Sequence, residues 1–264
     1  MILFDTHSHY FDEKFLPETD RDALLTSILT ESPVRYILHA GTSIETSRAC
    51  IALAENFDRT VAAVGMHPED CRDIPLTDEA IGQIEAMLDH PRVVAIGEIG
   101  HDFHWEPYDQ AHQAKWFAAQ MELAKAHNLP VILHDREAHG AIVDMIRQFP
   151  TVCGVLHSYS GSAEMIPELV KRGWYFSFSG VITFKNAAKV LDALRAVPAD
   201  RLLLETDCPY LTPVPHRGKR NSSEYLIHTA TAAATVRGED LEALCARTTE
   251  NAFTLFGMRE KGLV

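Results

Sequence analysis

The sequence predicts an α/β protein folded as a (β/α)8 TIM barrel with one extra C-terminal helix. Eight short apolar or β-branched runs recur along the chain, and a longer segment of helical character follows each of them. Consecutive runs begin 21 to 38 residues apart, near the roughly 30 residues of one strand–helix–strand unit. The length of 264 residues suits a single barrel of this kind. Repeated alternation of strand and helix therefore favours a closed parallel barrel.

The predicted strands are rich in Val, Ile and Leu, which suit a sheet that is buried on both faces. They occupy residues 2–4, 34–38, 61–64, 93–96, 131–133, 152–156, 175–178 and 202–204. Before the fifth strand, Phe117, Met121 and Ala124 form one apolar stripe of an amphipathic helix over residues 116–126. Pro130 ends that helix.

The end of the chain and its composition predict one compact unit. Residues 241–256 predict a last helix, which we expect to pack against the outside or the bottom of the barrel. No linker rich in Pro, Gly or Ser divides the chain, so we expect residues 1–264 to form a single domain. Hydrophobic residues at 46% and charged residues at 23% are typical of a globular protein.

The sequence also indicates where the protein works. No run approaches 18 apolar residues, and Asp5 interrupts the N-terminus before an apolar stretch of signal-peptide length. The five Cys are scattered without a C-x-x-C pair, which indicates neither a disulfide framework nor a zinc ribbon. We therefore expect a cytoplasmic protein that does not bind membranes, and no segment indicates an obligate protein partner.

A formal net charge of −13 argues against a protein that coats nucleic acid, because such binding requires a basic surface. Any contact with phosphate must therefore be local. The densest basic cluster is Arg217, Lys219 and Arg220, on the loop after the eighth strand. Since this loop leaves the barrel beside Asp207, we predict that the cluster binds a substrate phosphate.

Histidines and carboxylates follow five of the predicted strands. His7 and His9 come after the first strand, and residues two apart in an extended chain face the same side. Barrel active sites are built where the strands end, so these side chains should converge. The other candidates, each directly after an apolar run, are Glu98, His134, His157 and Asp207.

Burying these polar and charged side chains together would be unfavourable unless a cation lay among them. Six N and O ligands without a thiolate suit two divalent ions that share a carboxylate, and Glu98 is the predicted bridge. Two ions about 3.5 to 4 Å apart lower the pKa of a bound water and stabilise the attacking and leaving oxygens. The pattern predicts hydrolysis with Asp207 as general base, and leaves Zn, Mn, Mg, Co, Ni and Fe open.

Other polar residues near the strand ends carry weaker signals. His67 follows the third strand and either contacts substrate or supports a ligand. For Glu205, two residues before Asp207, a role as partner of a ligand is at least as reasonable as catalysis. For His39, His101 and His104 we expect hydrogen bonds within loops rather than metal binding.

Eight motifs along nearly the whole chain point to a known family. They are Asp-Thr-His-Ser-His at 5–9, Gly-Met-His-Pro at 65–68, Gly-Glu-Ile-Gly at 97–100, Pro-Val-Ile-Leu-His-Asp-Arg-Glu-Ala at 130–138, His-Ser-Tyr-Ser-Gly-Ser at 157–162, Ser-Gly-Val-Ile-Thr-Phe-Lys-Asn-Ala at 179–187, Leu-Leu-Glu-Thr-Asp-Cys-Pro-Tyr-Leu at 203–211 and Arg-Gly-Lys-Arg-Asn at 217–221. In this order they resemble the TatD family of metal-dependent deoxyribonucleases.

The resemblance implies an amidohydrolase-type barrel that cuts phosphodiester bonds with two divalent ions, in several members as a 3′ to 5′ exonuclease. It also implies that the six candidates above are metal ligands. The chain departs from the family pattern at His101 and Phe103, where Leu and Tyr are usual, at Ser158, usually Cys, and at Ser222, usually acidic. None of these positions is a predicted ligand.

Three hypotheses about function follow. The first is a metal-dependent hydrolase domain over residues 1–264 that cleaves DNA, with DNA ends or another phosphate-containing substrate as its partner. Trp105, Tyr108, Phe103 and Tyr159 could stack on a base in this case. The second is an amidohydrolase-class enzyme for a small ester, lactone or amide. The third, a non-catalytic metal-binding scaffold, is disfavoured because all six ligands are present.

Overall fold

Eight parallel strands, each paired with the next along the chain, form the sheet of the computed structural model, which describes residues 1–264. The last strand returns beside the first, since Ser8 bridges Cys208 and the Thr6 hydroxyl donates to the carbonyl of Leu204. This confirms the predicted (β/α)8 barrel. The strands are β1 (Leu3–Ser8), β2 (Val34–Ala40), β3 (Thr60–Val64), β4 (Val93–Asp102), β5 (Val131–Arg136), β6 (Gly154–Leu156), β7 (Tyr175–Phe178) and β8 (Leu202–Leu204).

Nine α-helices surround or close the barrel. They are α1 (Glu18–Glu31), α2 (Ile44–Asn56), α3 (Asp78–Leu88), α4 (Gln110–His127), α5 (His139–Gln148), α6 (Ile166–Lys171), α7 (Ala188–Ala196), α8 (Leu226–Arg237) and α9 (Leu241–Leu255). The helix predicted over residues 116–126 is part of the longer α4. That helix begins after Asp109, whose carboxylate accepts from the N–H of His112, and ends at Asn128 in the left-handed conformation. No helix in the structure is both long enough and apolar enough to span a membrane.

Strands β1, β4 and β5 continue past the ends of their predicted apolar runs. Backbone pairing between β4 and β5 persists through Gly100 with His134 and Asp102 with Arg136. Gly100 has φ +143°, and a Cβ there would collide with the carbonyl oxygen of His134. Glu98 and His134 therefore lie within paired strands rather than on loops, which restricts their movement.

Helix α9 closes the barrel at the N-terminal ends of the strands, as predicted. Its Asn251 side chain donates to the carbonyls of Ala199 and Leu202, where β8 begins. The rings of Phe253 and Phe256 lie 6.0 and 6.1 Å from the ring of Phe4 in β1. One face of the barrel is thus filled with apolar side chains, and the site must lie at the opposite face.

Shortening one of the apolar side chains that pack between α9 and the barrel should destabilise the protein strongly. Phe256 is 1% exposed, so Phe256→Ala removes buried contacts and leaves a cavity costing about 3–5 kcal/mol. The urea midpoint should fall accordingly, whereas Val214→Ala, at a side chain 47% exposed, should leave it near the wild-type value. Equal midpoints for Phe256→Ala and wild type would contradict this role for α9.

Candidate metal centre

The six predicted ligands meet at the carboxyl ends of the barrel strands. His7 and Glu98 lie within β1 and β4 and are fully buried or nearly so, while His134 in β5 is half-buried. The other three side chains come from the residues that follow β1, β6 and β8. They are His9, His157 and Asp207.

The two carboxylate oxygens of Glu98 face different groups of nitrogen atoms. Oε2 lies 3.2 Å from His7 Nε2 and 3.7 Å from His9 Nε2. Oε1 lies 2.7 Å from His134 Nδ1 and 2.8 Å from His157 Nε2. A bridging carboxylate between two cations needs this division of its oxygens.

Asp207 completes the first of these groups. Its Oδ1 lies 3.2 Å from His9 Nε2 and 3.8 Å from His7 Nε2, and the two imidazole nitrogens are 3.1 Å apart. The backbone of Asp207 has φ +58°, a left-handed conformation that Asp tolerates better than most residues. It is held there because its N–H donates to the carbonyl of His7.

Acceptors on the outer nitrogens determine which proton three of these histidines carry. His9 Nδ1 lies 2.9 Å from the carbonyl of Ala40, and His157 Nδ1 lies 3.3 Å from Glu205 Oε1. His134 Nε2 lies 3.0 Å from Asp102 Oδ2. A neutral imidazole that donates from its outer nitrogen has a lone pair on the inner one.

When these rings are neutral, the inner nitrogens of His9, His134 and His157 carry lone pairs that face one another and the carboxylate oxygens of Glu98. Acceptors at such distances repel unless a proton or a cation lies between them. An N and O donor set without thiolates suits divalent metal ions. The residues thus fit the predicted metal centre, with His7, His9, Glu98 and Asp207 in one group and Glu98, His134 and His157 in the other.

The surroundings keep both carboxylates ionised. Burial alone would raise the pKa of Glu98, but the charges of His157, His7 and His67 hold it well below its usual range. Burial likewise opposes ionisation of Asp207, and the hydrogen bond from His9 outweighs it, so that the pKa is lowered. Glu98 and Asp207 are thus both carboxylate anions near neutral pH, the form that binds cations.

Protons compete with metal for the histidines. Burial lowers the pKa of His134, but hydrogen bonds to Asp102 and Glu98 more than compensate and raise it to about 9. A cation that binds Nδ1 of this residue must therefore displace a proton, so metal binding should release protons near neutral pH.

Two carboxylates outside the ligand set support it. Asp102 is buried and also accepts from the backbone N–H groups of His104 and Trp105 at 2.8 and 3.2 Å. Glu205 accepts from the N–H of Ser158 at 2.7 Å as well as facing His157, which agrees with its predicted role as partner of a ligand. Sequence reasoning missed Asp102, although its place two residues after Gly100 in the β4 motif was a usable signal.

Removing the charge of Asp102 should weaken metal binding without touching a ligand. Asp102→Asn keeps the side-chain shape but presents a weaker acceptor to His134 Nε2, so we expect metal affinity to fall about 10- to 100-fold. Competition with a chelating dye measures this. Asp192→Asn, at an exposed Asp paired with Arg195 on α7, should bind metal like wild type. Equal affinity in both variants would show that Asp102 does not orient His134.

His67 is oriented differently from the four predicted ligand histidines. Its Nδ1 accepts from the N–H of Glu69 at 3.2 Å, so the neutral ring carries its proton on Nε2. That nitrogen lies 3.5 Å from Glu98 Oε1, and the side chain lines a cavity. His67, Glu98 and His134 also lie close enough together to hold an ion, so the substrate contact of His67 stays a prediction.

Two adjoining cavities of about 290 and 540 Å³ open onto the centre. Both are lined by Arg136, a half-buried residue at the end of β5 that sequence reasoning did not select. Its signal was its place in the motif two residues after His134. The larger cavity is also lined by Trp105 and Tyr210, which are 49% and 44% exposed.

The basic cluster on the loop after β8 does not line either cavity. The Arg217 guanidinium lies 3.9 Å from the ring centroid of Phe184 and donates to the carbonyl of Thr212. Arg220 donates to the carbonyl of Lys14. Phosphate binding by Arg217, Lys219 and Arg220 stays a prediction, to which these contacts add no support.

The remaining strand-end histidines make hydrogen bonds, but His39 in β2 and His101 in β4 lie within strands rather than in the predicted loops. His39 Nδ1 lies 3.2 Å from the hydroxyl of Ser8, and His101 Nδ1 lies 3.4 Å from Gln113 Oε1. His104 Nδ1 lies 2.6 Å from Glu137 Oε1. These contacts agree with hydrogen bonding rather than metal binding.

Comparison with known proteins shows what the chain is similar to. The family model described as TatD related DNase matches residues 4–257. A Bacillus subtilis protein named uncharacterized metal-dependent hydrolase YabD is 38% identical over 257 residues, 97% of this chain and 99% of that one. The Escherichia fergusonii protein named 3′-5′ ssDNA/RNA exonuclease TatD is 34% identical over 248 residues, 90% of this chain and 94% of that one. The crystal structure of YJJV, a TatD homologue from Escherichia coli, has 29% identity and a TM-score of 0.89 over 97% of this chain and 98% of that one.

Proposed function

The chain belongs to the TatD related DNase family, and we propose that it is a metal-dependent hydrolase that cleaves phosphodiester bonds at single-stranded DNA ends. The observation that carries this proposal is the division of the Glu98 oxygens between two groups of lone pairs. The similarity to a protein named as a 3′-5′ ssDNA/RNA exonuclease supports the substrate class. Single-stranded RNA is the alternative polymer within that class.

The donor set supports two divalent ions. His7, His9 and Asp207 would hold one ion, His134 and His157 the other, and Glu98 would contact both. When bound, such ions would supply Lewis acidity toward the phosphate and lower the pKa of water.

Asp207 is the proposed general base. Its carboxylate lines both cavities, and Oδ1 contacts His9, which leaves Oδ2 to accept a proton from the attacking water. The lowered pKa keeps this group ionised before the reaction. Hydrogen bonds of its backbone to His7 and Tyr210 hold the carboxylate in position.

Substrate recognition is proposed at the rim of the cavities. Arg136 offers a guanidinium for a phosphate beside the metal centre, and His67 offers an N–H. Trp105 and Tyr210 are partly exposed, and Arg136 and Lys14 lie over one face of each ring, which leaves the other face for an unpaired base. Because the chain carries a net charge of −13, these few contacts suit a strand end better than a long duplex.

Cleavage of a labelled oligonucleotide tests the proposal. Protein loaded with Mn²⁺, Mg²⁺ or Zn²⁺ should shorten 5′-labelled single-stranded DNA stepwise. It should cut a blunt duplex more slowly, and EDTA should abolish both activities. No cleavage with any divalent ion would refute the nuclease proposal. Hydrolysis of a nitrophenyl ester or a lactone in that case would indicate the small-substrate alternative.

Arginine variants test the location of the phosphate contact. Arg136→Gln should lower kcat/KM for DNA by about 10- to 100-fold, because a charge-assisted hydrogen bond contributes about 1.5–3 kcal/mol. Arg217→Gln should change kcat/KM by less than about threefold if the loop arginine only packs on Phe184. The reverse order would move the phosphate site to the loop after β8.

A further inference from the structure

Two histidines outside the metal centre bring their ring nitrogens together. His216 lies on the loop after β8, and His228 lies in the first turn of α8. Their Nε2 atoms are 3.0 Å apart, and both residues are half-buried. The pair is therefore reachable from solvent and joins a loop to a helix.

Both rings are positioned by their neighbours. His216 stacks on Tyr225 with ring centroids 4.0 Å apart and planes 8° from parallel. Its backbone N–H donates to the carbonyl of Pro213 at 2.8 Å. His228 is carried by a helix of 12 residues. Little side-chain freedom is left to lose when a ligand binds between the two nitrogens.

We propose that His216 and His228 form a second, solvent-accessible cation site for a transition metal ion of the Zn²⁺ or Cu²⁺ type. Two metal–nitrogen bonds of about 2.0–2.1 Å to one tetrahedral ion place the nitrogens about 3.3 Å apart, which a small movement of either ring from 3.0 Å achieves. Imidazole ligands favour Zn²⁺, Cu²⁺ and Ni²⁺ over Mg²⁺ and Ca²⁺, which bind oxygen. Water fills the remaining positions of the ion.

The pKa of His228 agrees with this geometry. Burial and the charge of His216 lower the pKa of His228, so this ring is neutral and has a lone pair near neutral pH. The two arginines on the same loop do not lie between the rings, since Arg217 packs on Phe184 and Arg220 on Phe15.

An ion at this position would tie the loop to α8. The loop is already attached elsewhere, because the N–H of Val214 donates to the hydroxyl of Thr183 at 2.9 Å. The same loop carries exposed Arg217, Lys219 and Arg220, each a trypsin cleavage site. Binding of Zn²⁺ should therefore slow tryptic cleavage within this loop.

Metal counting tests the proposal in the intact chain. After equilibration with excess Zn²⁺ and removal of free ion, wild type should retain one equivalent more than His216→Ala or His228→Ala. His90→Ala, which removes a half-buried His paired with Glu55, should retain the wild-type number. Thermal unfolding of each variant establishes that it is folded.

The variant His228→Gln separates metal binding from hydrogen bonding. Glutamine can keep a hydrogen bond to His216 but is a poor ligand for Zn²⁺. We expect this variant to lose the extra equivalent and the protection of the loop by Zn²⁺ against trypsin. Equal Zn²⁺ content in wild type, His216→Ala, His228→Ala and His228→Gln, with cleavage rates independent of Zn²⁺, would show that the pair is only a hydrogen bond. Neither readout depends on the proposed nuclease activity.

Discussion

Asp207→Asn should lower kcat for DNA cleavage by about 10²- to 10⁴-fold, the contribution expected of a general base. The amide keeps the size of the side chain and one oxygen beside His9, but it cannot accept the proton of an attacking water. The substitution also removes a negative charge that lies 3.8 Å from His7 Nε2, so one metal group should bind its ion more weakly.

Saturating metal separates the two effects of this substitution. A rising Mn²⁺ concentration should restore metal occupancy in Asp207→Asn. If Asp207 is the base, the single-turnover cleavage rate should nevertheless stay low. Asp200→Asn, at an exposed carboxylate paired with Arg201, provides a control with the same chemical change and should cleave DNA like wild type. Recovery of the wild-type rate at high Mn²⁺ would leave Asp207 as a ligand only.

Glu98→Gln should have the largest effect on metal content. Each oxygen of Glu98 faces a different group of nitrogens, at 2.7 to 3.7 Å. A glutamine at this position can offer one oxygen to one group, while its NH₂ faces the other and cannot bind a cation. We therefore expect the protein to hold fewer than two ions and to lose activity about 10³-fold or more.

Elemental analysis after loading with Mn²⁺ or Zn²⁺ measures this loss. Glu122→Gln, at an exposed residue of α4 paired with Lys125, should retain the wild-type metal content. If Glu98→Gln held two ions with wild-type affinity, Glu98 would not bridge them. The Zn²⁺ bound at His216 and His228 must be subtracted, which the His228→Ala background allows.

These two variants bear on different parts of the proposed function. Loss of metal in Glu98→Gln supports the centre even where no DNA is cut. Loss of rate in Asp207→Asn supports the reaction only where wild type cleaves DNA. If the protein binds two ions but cleaves no nucleic acid, the proposed metal centre stands and the proposed substrate is refuted.

The fold could be predicted from the sequence because its signals are local. Each strand contains a short apolar run, a segment of helical character follows it, and their spacing repeats along the chain. The strand ends were harder to predict, since β4 and β5 continue to Asp102 and Arg136 by pairing with each other after the apolar pattern stops. Hydrogen bonding between chain-distant backbones leaves no mark on hydrophobicity.

The positions of the six candidate ligands were also predictable, because each follows an apolar strand and barrels collect strand ends at one face. The order of the eight motifs along the chain also indicated the family. What the sequence by itself determined is therefore the barrel and the composition of its polar rim.

Tertiary structure alone decided how that rim is organised. The split of the Glu98 oxygens, the Asp102 and Glu205 contacts that orient histidine rings, and the place of Arg136 all depend on distances between strands. The same holds for the His216 and His228 pair, 12 residues apart in the chain. Side-chain direction and protonation depend on which atoms of distant residues come within about 3 Å, and sequence spacing does not specify this.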